Sequence, residues 1–325
     1  MTLIAVDAMG GDTAPREIVE GAILAADNGV DIVLVGDEGQ IAPLLEGRDV
    51  SIVIRHAGQI IDMHDDPTHA IRDKKDASIV VAARMVADGE TDALVSAGST
   101  GAAMACAAFI IGRLKGVARP AIGSIFPTGH VIMDVGANLE CKPEHLLQFA
   151  VMGSALAQVY RDVENPRVGL LNIGEERSKG RTLEKESYEL LSASKAIQFI
   201  GNVEGRDLAA NTADVIVTDG FTGNVFLKTS EGAGKVIQRM VFEMLAKPEY
   251  QSAVAELMPV FMELRERLSS ETIGGAHLVG TKGVVVIAHG SSSRVAIGNA
   301  IEIAATGVDQ GLVDVISAGI TAATR

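Results

Sequence analysis

Val215-Ile216-Val217-Thr218-Asp219-Gly220-Phe221-Thr222-Gly223-Asn224 begins with β-branched apolar residues and ends on small polar ones. The apolar half reads as a buried strand, and the rest as a loop of Asp, Gly, Thr and Asn at its carboxyl end. Val225-Phe226-Leu227-Lys228 then carries the chain towards helical spacing. A step of this kind leaves backbone N–H groups and small polar side chains free where an anionic ligand can sit. The same step recurs at Leu94-Val95-Ser96-Ala97-Gly98-Ser99-Thr100-Gly101 and at Val286-Ile287-Ala288-His289-Gly290-Ser291-Ser292-Ser293. Three such loops in one chain point to a phosphate-handling cleft on an α/β scaffold.

Outward from these loops, strand-like and helical stretches alternate from end to end. Strands are expected at 3–6, 31–35, 51–54, 92–95, 131–135, 167–172, 197–201, 214–218 and 284–288. Amphipathic stretches lie between them at 16–28, 77–88, 100–113, 144–160, 183–195 and 294–306. The alternation predicts a mostly parallel sheet covered by helices on both faces, in one large catalytic domain spanning 1–325. One segment departs from it. From Lys235 to Leu268 the pattern is helical throughout, with a first apolar stripe at Ile237, Met240, Val241, Met244 and Leu245. Lys247-Pro248 should stop that helix, because the residue before proline is driven out of the α region. A second stripe follows at Val254, Leu257, Met258, Phe261, Leu264 and Leu268, interrupted by Pro259. The segment is expected to project as a helical hairpin. Its five basic and five acidic residues offset one another, which places a dimer interface ahead of attraction to anionic lipid.

Composition narrows the function. At 325 residues, with 47% hydrophobic and 22% charged residues, the chain can bury a large core. A net charge of −14 argues against nucleic-acid binding. Cys106 and Cys141 form no disulfide framework and fit a reducing cytosol. No basic and apolar leader precedes Leu3-Ile4-Ala5-Val6, so no signal peptide is expected. No apolar stretch approaches the ~20 residues of a membrane span.

The candidate site residues lie in the loops. Asp7-Ala8-Met9-Gly10-Gly11-Asp12 is either a ligand loop or a tight turn whose Asp12 or Thr13 caps the next helix. Gly98, Ser99, Thr100 and Gly101 open an Ala-rich helix, to bind an anion or to cap. In Asn172-Ile173-Gly174-Glu175-Glu176-Arg177-Ser178-Lys179-Gly180, Lys179 can meet phosphate as a point charge. Asp219 and Asn224 belong to the 218–224 loop, and a neutral amide such as Asn224 suits a developing oxyanion. His289, Ser291 and Ser292 precede the last helical stretch, with the same choice between anion binding and capping. The remaining histidines show no metal spacing. No dinucleotide fingerprint, nucleophile elbow or Walker A loop is present.

In this order the loops closely resemble the PlsX-type acyl-carrier-protein:phosphate acyltransferases of bacterial phospholipid synthesis. The resemblance runs through residues 5–12, 96–102, Asp134-Val135-Gly136-Ala137-Asn138, Lys142-Pro143-Glu144-His145-Leu146 and 166–172. It continues in Gly201-Asn202-Val203-Glu204, 218–224 and 288–292. It implies a fold like that of isocitrate and isopropylmalate dehydrogenases and of phosphotransacetylases, assembled as a homodimer. It also implies a reaction without a cofactor, in which inorganic phosphate and a fatty acyl-carrier protein give acyl phosphate and free carrier protein. By position Lys179 and Asn224 look like the catalytic pair, with Asp219 beside them. The 235–268 hairpin looks like the element used at the dimer and membrane surface. The implied location is cytoplasmic and peripheral to an anionic membrane, with a downstream glycerol-3-phosphate acyltransferase as a further partner. Thr13 stands where the family commonly has His, and Ser99 where Asn is usual.

The implied chemistry matches the residues. Phosphate is already anionic near neutral pH and a thiol has a pKa of about 8.5, so neither nucleophile nor leaving group needs strong acid–base help. The carrier protein is acidic and so is this chain, which calls for a local basic patch. Arg72, Lys74 and Lys75 form the densest cluster, with Arg113, Lys115 and Arg119 as the competitor. Two rivals remain at this point. One is a phosphotransacetylase acting on acyl-coenzyme A, and the other is a non-catalytic membrane scaffold that binds carrier protein.

Overall fold

The computed structural model describes residues 2–267 and 274–324. In chain order its elements begin β1 (Leu3–Asp7), α1 (Arg16–Asp27), β2 (Asp31–Gly36), α2 (Glu38–Leu45), β3 (Val53–His56), α3 (Pro67–Asp73) and α4 (Ser78–Ala87). There follow β4 (Ala93–Ser96), α5 (Thr100–Cys106) running into a π turn over Ala107–Gly112, β5 (Ala121–Ile125), β6 (Val131–Met133) and α6 (Pro143–Arg161). The chain continues through β7 (Arg167–Leu171), α7 (Thr182–Ala193), β8 (Gln198–Val203), β9 (Val215–Val217), α8 (Gly220–Leu245) and α9 (Gln251–Arg267). It closes with β10 (Ala276–Val279), β11 (Val284–Ile287), α10 (Arg294–Asp309) and α11 (Leu312–Ala323).

Among the described residues the strands form one sheet in the order β3-β2-β1-β4-β11-β10-β5-β6-β9-β7-β8. Away from the edge strands β3 and β8 both of its faces are buried, so most strands read as continuous apolar runs. On one face Ala5, Val33, Leu94, Ile132, Ile216 and Val285 join a single core with α3, α4 and α5. On the other face the core divides. Ile4, Val6, Ile32, Val95 and Val286 pack against α1 and α10, while Val131, Met133, Val168 and Val215 pack against α6 and α11.

The sheet reverses direction at its centre, which the sequence pattern did not disclose. β10 is antiparallel to both β11 and β5, and β5 is antiparallel to β6. Consequently β1, β4 and β11 run parallel to one another. β6, β9 and β7 run parallel among themselves, in the opposite sense. The two strands that make the reversal, β5 and β10, were both missing from the strands read from sequence. Gly123-Ser124 and His277 break their apolar runs, and each run is very short.

Two further corrections concern helices. α8 starts at Gly220 rather than Lys235, so the expected 218–224 loop is mostly the first helical turn, and Asn224 lies on a helix. Pro259 does not interrupt α9, which runs through it. A helical proline deletes one backbone donor and bends the helix without having to end it. The stop at Lys247-Pro248 does hold, since α8 ends at Leu245 and Pro248–Tyr250 forms a 3-10 turn. Leu268, the last position of the second stripe, lies outside the described residues. Along the hairpin the apolar stripes are largely in solvent, with Ile237 62%, Met240 54% and Val260 61% exposed.

No single helix among the described residues is long and apolar enough to cross a membrane. α10 and α11 reach that length only together and are bent by 57°. Ile297, Ala300 and Ile301 of α10 and Ile316 and Ile320 of α11 are buried in the core.

Candidate functional site

The loops form two clusters at the carboxyl ends of the two oppositely running halves of the sheet. In the first, β1, β4 and β11 are neighbours, and the loops after them touch. Asp7 is buried at the end of β1, where its carboxylate accepts from Ser78 Oγ at 2.6 Å and Ser96 Oγ at 2.7 Å. Burial pushes its pKa up, against those hydrogen bonds. The next turn fits only without side chains. A Cβ on Gly10 would lie 2.5 Å from Asp7 Oδ2 and 2.7 Å from the Gly98 nitrogen, and Gly11 has φ +118°. The backbone N–H of Asp12 donates to the Gly290 carbonyl at 2.8 Å, which joins the loop after β1 to the loop after β11.

Helix caps fall to only some of these residues. α1 has Pro15 at its N-cap and no side-chain cap, so neither Asp12 nor Thr13 is used in that way. Ser99 does cap α5, accepting from Ala102 N, and Ser293 caps α10, accepting from Ala296 N. Thr100 is left exposed, Ser291 Oγ lies 2.9 Å from His289 Nδ1, and Ser292 is buried. Ser99 Oγ accepts the Ala102 N–H at 3.4 Å and keeps its own O–H to donate.

The second cluster is built around a buried carboxylate that entered the sequence reading only within a stretch of the family resemblance, with no role of its own. Asp134, at the end of β6, accepts from the backbone N–H groups of Ile122, Gly136, Ala137 and Asn138, and from the Asn138 amide. The Asn138 carbonyl in turn accepts from Gly220 N at 2.8 Å, which seats the first turn of α8. That turn is pressed hard onto the loop. A Cβ on Gly223 would fall 1.9 Å from the Asp134 carbonyl oxygen. Asn224 follows, exposed, its side chain 3.8 Å from where a Cβ on Gly136 would stand.

Lys179 reaches the same cluster from β7. Its stem packs over Gly174, its backbone N–H donates to Glu176 O at 3.0 Å, and among the described residues its ammonium forms no ion pair. The next residue but one makes the connection to α8. Arg181 donates to Asp219 Oδ2 at 2.6 Å and pairs with the buried Glu184. Asp219 is thus fully engaged, because it also caps α8 by accepting from Thr222 N at 2.8 Å and Thr222 Oγ1 at 2.9 Å. Its carboxylate anchors the cation loop to the helix that carries Asn224.

Burial raises the Asp219 carboxyl pKa, but the hydrogen bonds from Thr222 and Arg181 outweigh it and hold the group below its ordinary range. A depressed carboxylate stabilises the fold above its unfolded pKa, and that stability is lost as pH falls through the folded value. Asp219→Asn keeps an acceptor for Thr222 and loses the charged bond to Arg181. It should lower unfolding free energy by about 1–2 kcal/mol at pH 7 and by less at pH 3. Denaturant titrations giving equal losses at both pH values would contradict this role.

Asn202, at the end of β8, is a second residue the sequence did not single out as functional. Buried, it donates to Glu176 O at 2.9 Å, so it steadies the loop that holds Lys179, and its own Oδ1 has no partner among the described residues. Asn202→Leu frees that loop while removing an orphaned acceptor, so stability should change by less than about 1 kcal/mol. Turnover should fall about tenfold, an effect of lost positioning. Intact turnover in steady-state assays would dismiss the positioning role. Only adjacency to Lys179 marked Arg181 in the sequence, and the short Asp-x-Gly-x-Asn turn was the available signal for Asp134 and Asn138.

The expected basic cluster is less free than its sequence suggests. Lys74 Nζ is paired with Asp65 at 2.5 Å and donates to the Ile60 carbonyl, leaving Arg72 and Lys75 exposed among neighbouring aspartates.

Comparison with known proteins bears on the whole chain. Residues 2–323 match the family described as "Fatty acid synthesis protein". A phosphate acyltransferase of Desulforamulus reducens is 48% identical over 322 residues, covering 97% of this chain and 96% of that protein. A phosphate acyltransferase of Bacillus subtilis is 44% identical over 320 residues, covering 96% of each. Among solved structures, a phosphotransacetylase from Streptococcus pyogenes superposes with a TM-score of 0.64 at 17% identity, covering 95% of this chain and 94% of the other. A putative 4-hydroxythreonine-4-phosphate dehydrogenase from Salmonella typhimurium gives 0.54 at 12% identity, covering 94% and 98%. At such identities these two likenesses speak for the fold, which is the α/β architecture shared by phosphotransacetylases and this dehydrogenase. The match across residues 2–323 and the near full-length identity together place this chain in the fatty acid synthesis protein family, among the phosphate acyltransferases.

Proposed function

We propose that this acyltransferase moves a fatty acyl group from acyl-carrier protein to inorganic phosphate, forming acyl phosphate for phospholipid synthesis. The observation that carries the reading is the Lys179–Arg181–Asp219–Asn224 linkage, a cation in no ion pair among the described residues and a neutral amide donor held to one frame. A phosphate oxygen attacks the thioester carbonyl, the C–S bond breaks, and the carrier leaves as a thiolate. Lys179 neutralises the phosphate, and the Asn224 amide donates to the oxyanion of the tetrahedral stage. Asp219, spent on its own bonds, positions the pair.

The first cluster faces the second across a cleft in this reading. Neighbouring strands rotate by about 20–25° each, so five steps from β4 to β9 offset much of the reversal in strand direction. Gly10, Gly11, Thr100, Gly101, Ser291 and Ser292 then present backbone and hydroxyl groups to the phosphate-bearing substrate. The exposed apolar residues of α8 and α9 belong in a homodimer, with the far end of the hairpin against the membrane, because isolated monomers rarely expose so continuous an apolar surface.

The test is to incubate the purified protein with palmitoyl-acyl-carrier protein, with and without phosphate, and trap acyl phosphate as the hydroxamate. Phosphate-dependent hydroxamate supports the reading. Thioester loss that is indifferent to phosphate rejects it.

A further inference from the structure

The competing basic cluster is larger in three dimensions than in sequence. The 112–119 loop is stapled to its neighbours at both ends. Lys282 N donates to Gly112 O at 2.9 Å, and the Lys282 stem packs over Gly112, which lies beside Arg113. At the other end Gln148 of α6 bonds both Gly116 O and Ala118 N, and Arg119 donates to Glu140 O at 3.2 Å. Arg113, Lys115, Arg119, Lys142 and Lys282 are thereby gathered on one exposed surface. Among the described residues none of them is in an ion pair. Within the segments that form this surface, 112–120, 139–144 and 281–283, the acids are Glu140 and Glu144. In a chain of net charge −14 this is a local reversal of sign.

Its position is as telling as its charge. Asn138 donates to Pro120 O at 2.9 Å on the patch side, and its carbonyl accepts from Gly220 N on the site side. One residue therefore separates the cationic surface from the first turn of α8, which carries Asn224. Burial holds His145 below its ordinary pKa, and Arg119 and Lys142 add to that depression, as neighbouring cations should. By contrast the 62–76 segment sets Asp62, Asp65, Asp66, Asp73 and Asp76 around Arg72 and Lys75.

From this we infer that the Arg113–Lys115–Lys282 surface docks the acidic carrier protein, and that the 72–75 cluster does not. The inference rests on the carrier-protein reading above. Long-range attraction between an acidic partner and an isolated basic patch raises encounter rate and fixes orientation, and salt screens it. The patch then delivers the acyl thioester past Asn138 to Lys179 and Asn224.

Lys115→Glu with Lys282→Glu tests it, since both side chains are exposed and, among the described residues, in no ion pair. The KM for palmitoyl-acyl-carrier protein should rise about tenfold at low salt, with kcat and the KM for phosphate within about twofold. Binding of the apo carrier protein, followed by titration, should weaken in parallel, and Lys115→Gln with Lys282→Gln should fall between. Arg72→Glu with Lys75→Glu should leave the carrier KM within about twofold. An unchanged KM in the patch variant, or a larger rise in the 72/75 variant, overturns the assignment while the activity of the parent protein stands. A parent protein that neither binds nor turns over the carrier thioester removes the carrier reading and the docking surface together.

Discussion

Lys179→Ala is expected to lower acyl phosphate formation by about 10²–10³-fold, the usual loss when a charge-stabilising group is removed from an acyl-transfer site. The fold should be untouched. Lys179 is exposed, its stem lies over Gly174, and its ammonium is tied to no acid among the described residues, so truncation leaves no buried charge behind. Its two backbone hydrogen bonds, from Lys179 N to Glu176 and from Asn172 to Lys179 O, survive the change. Unfolding temperature and far-ultraviolet circular dichroism should match the parent. If phosphate neutralisation is the role, the KM for phosphate rises as kcat falls, and Lys179→Arg restores part of both. Undiminished turnover in Lys179→Ala would remove this residue from the mechanism.

Gly223→Ala should have the largest structural effect of any single methyl added to the second cluster. The new Cβ would stand 1.9 Å from the Asp134 carbonyl oxygen and 3.0 Å from the Asp134 carbonyl carbon. Neither contact can yield by rotating a side chain, since both atoms are backbone and Asp134 is pinned by the hydrogen bonds to its carboxylate. Either α8 moves away or the 134–138 loop does. Overpacking of this kind costs about 1–3 kcal/mol, and displacement of Asn224 by even an ångström costs about 10²-fold in turnover. Gly232→Ala in the same helix is the control, because a Cβ there meets nothing within 4 Å among the described residues. It should stabilise slightly, by about 0.5–1 kcal/mol. Equal stability for the two variants, read from denaturant midpoints, would contradict the close packing of α8 on Asp134.

The alternation of strands and helices was legible because both faces of the sheet are covered, which leaves Val215-Ile216-Val217 and Val284-Val285-Val286-Ile287 as uninterrupted apolar runs. The central reversal was not. β5 and β10 are interior strands too, but Gly123 exists to make room for Leu156 and Met133, and His277 lies against Tyr160 at 4.4 Å between ring centres. Tertiary packing chose those residues, and periodicity does not record it. The start of α8 was hidden for a similar reason. Gly220 and Gly223 look like loop residues, yet each is demanded by close approach of the helix to Asn138 and Asp134. The candidate loops stood out in the sequence because small polar residues after a strand have few structural uses. Their division into two clusters, and the role of Arg181 as the link, depend on strand order and on contacts across 38 positions of sequence. Asp219 read as a reacting group from its place in the loop, and only its hydrogen bonds show that its oxygens are already committed.

A parallel kinetic comparison should come first, with palmitoyl-acyl-carrier protein and palmitoyl-coenzyme A supplied separately to the purified protein at saturating phosphate and acyl phosphate measured directly. Acyl phosphate from the carrier-protein thioester, lost in Lys179→Ala, is the expected result. Acyl phosphate from the coenzyme A thioester alone, or from neither, would contradict the proposed reaction.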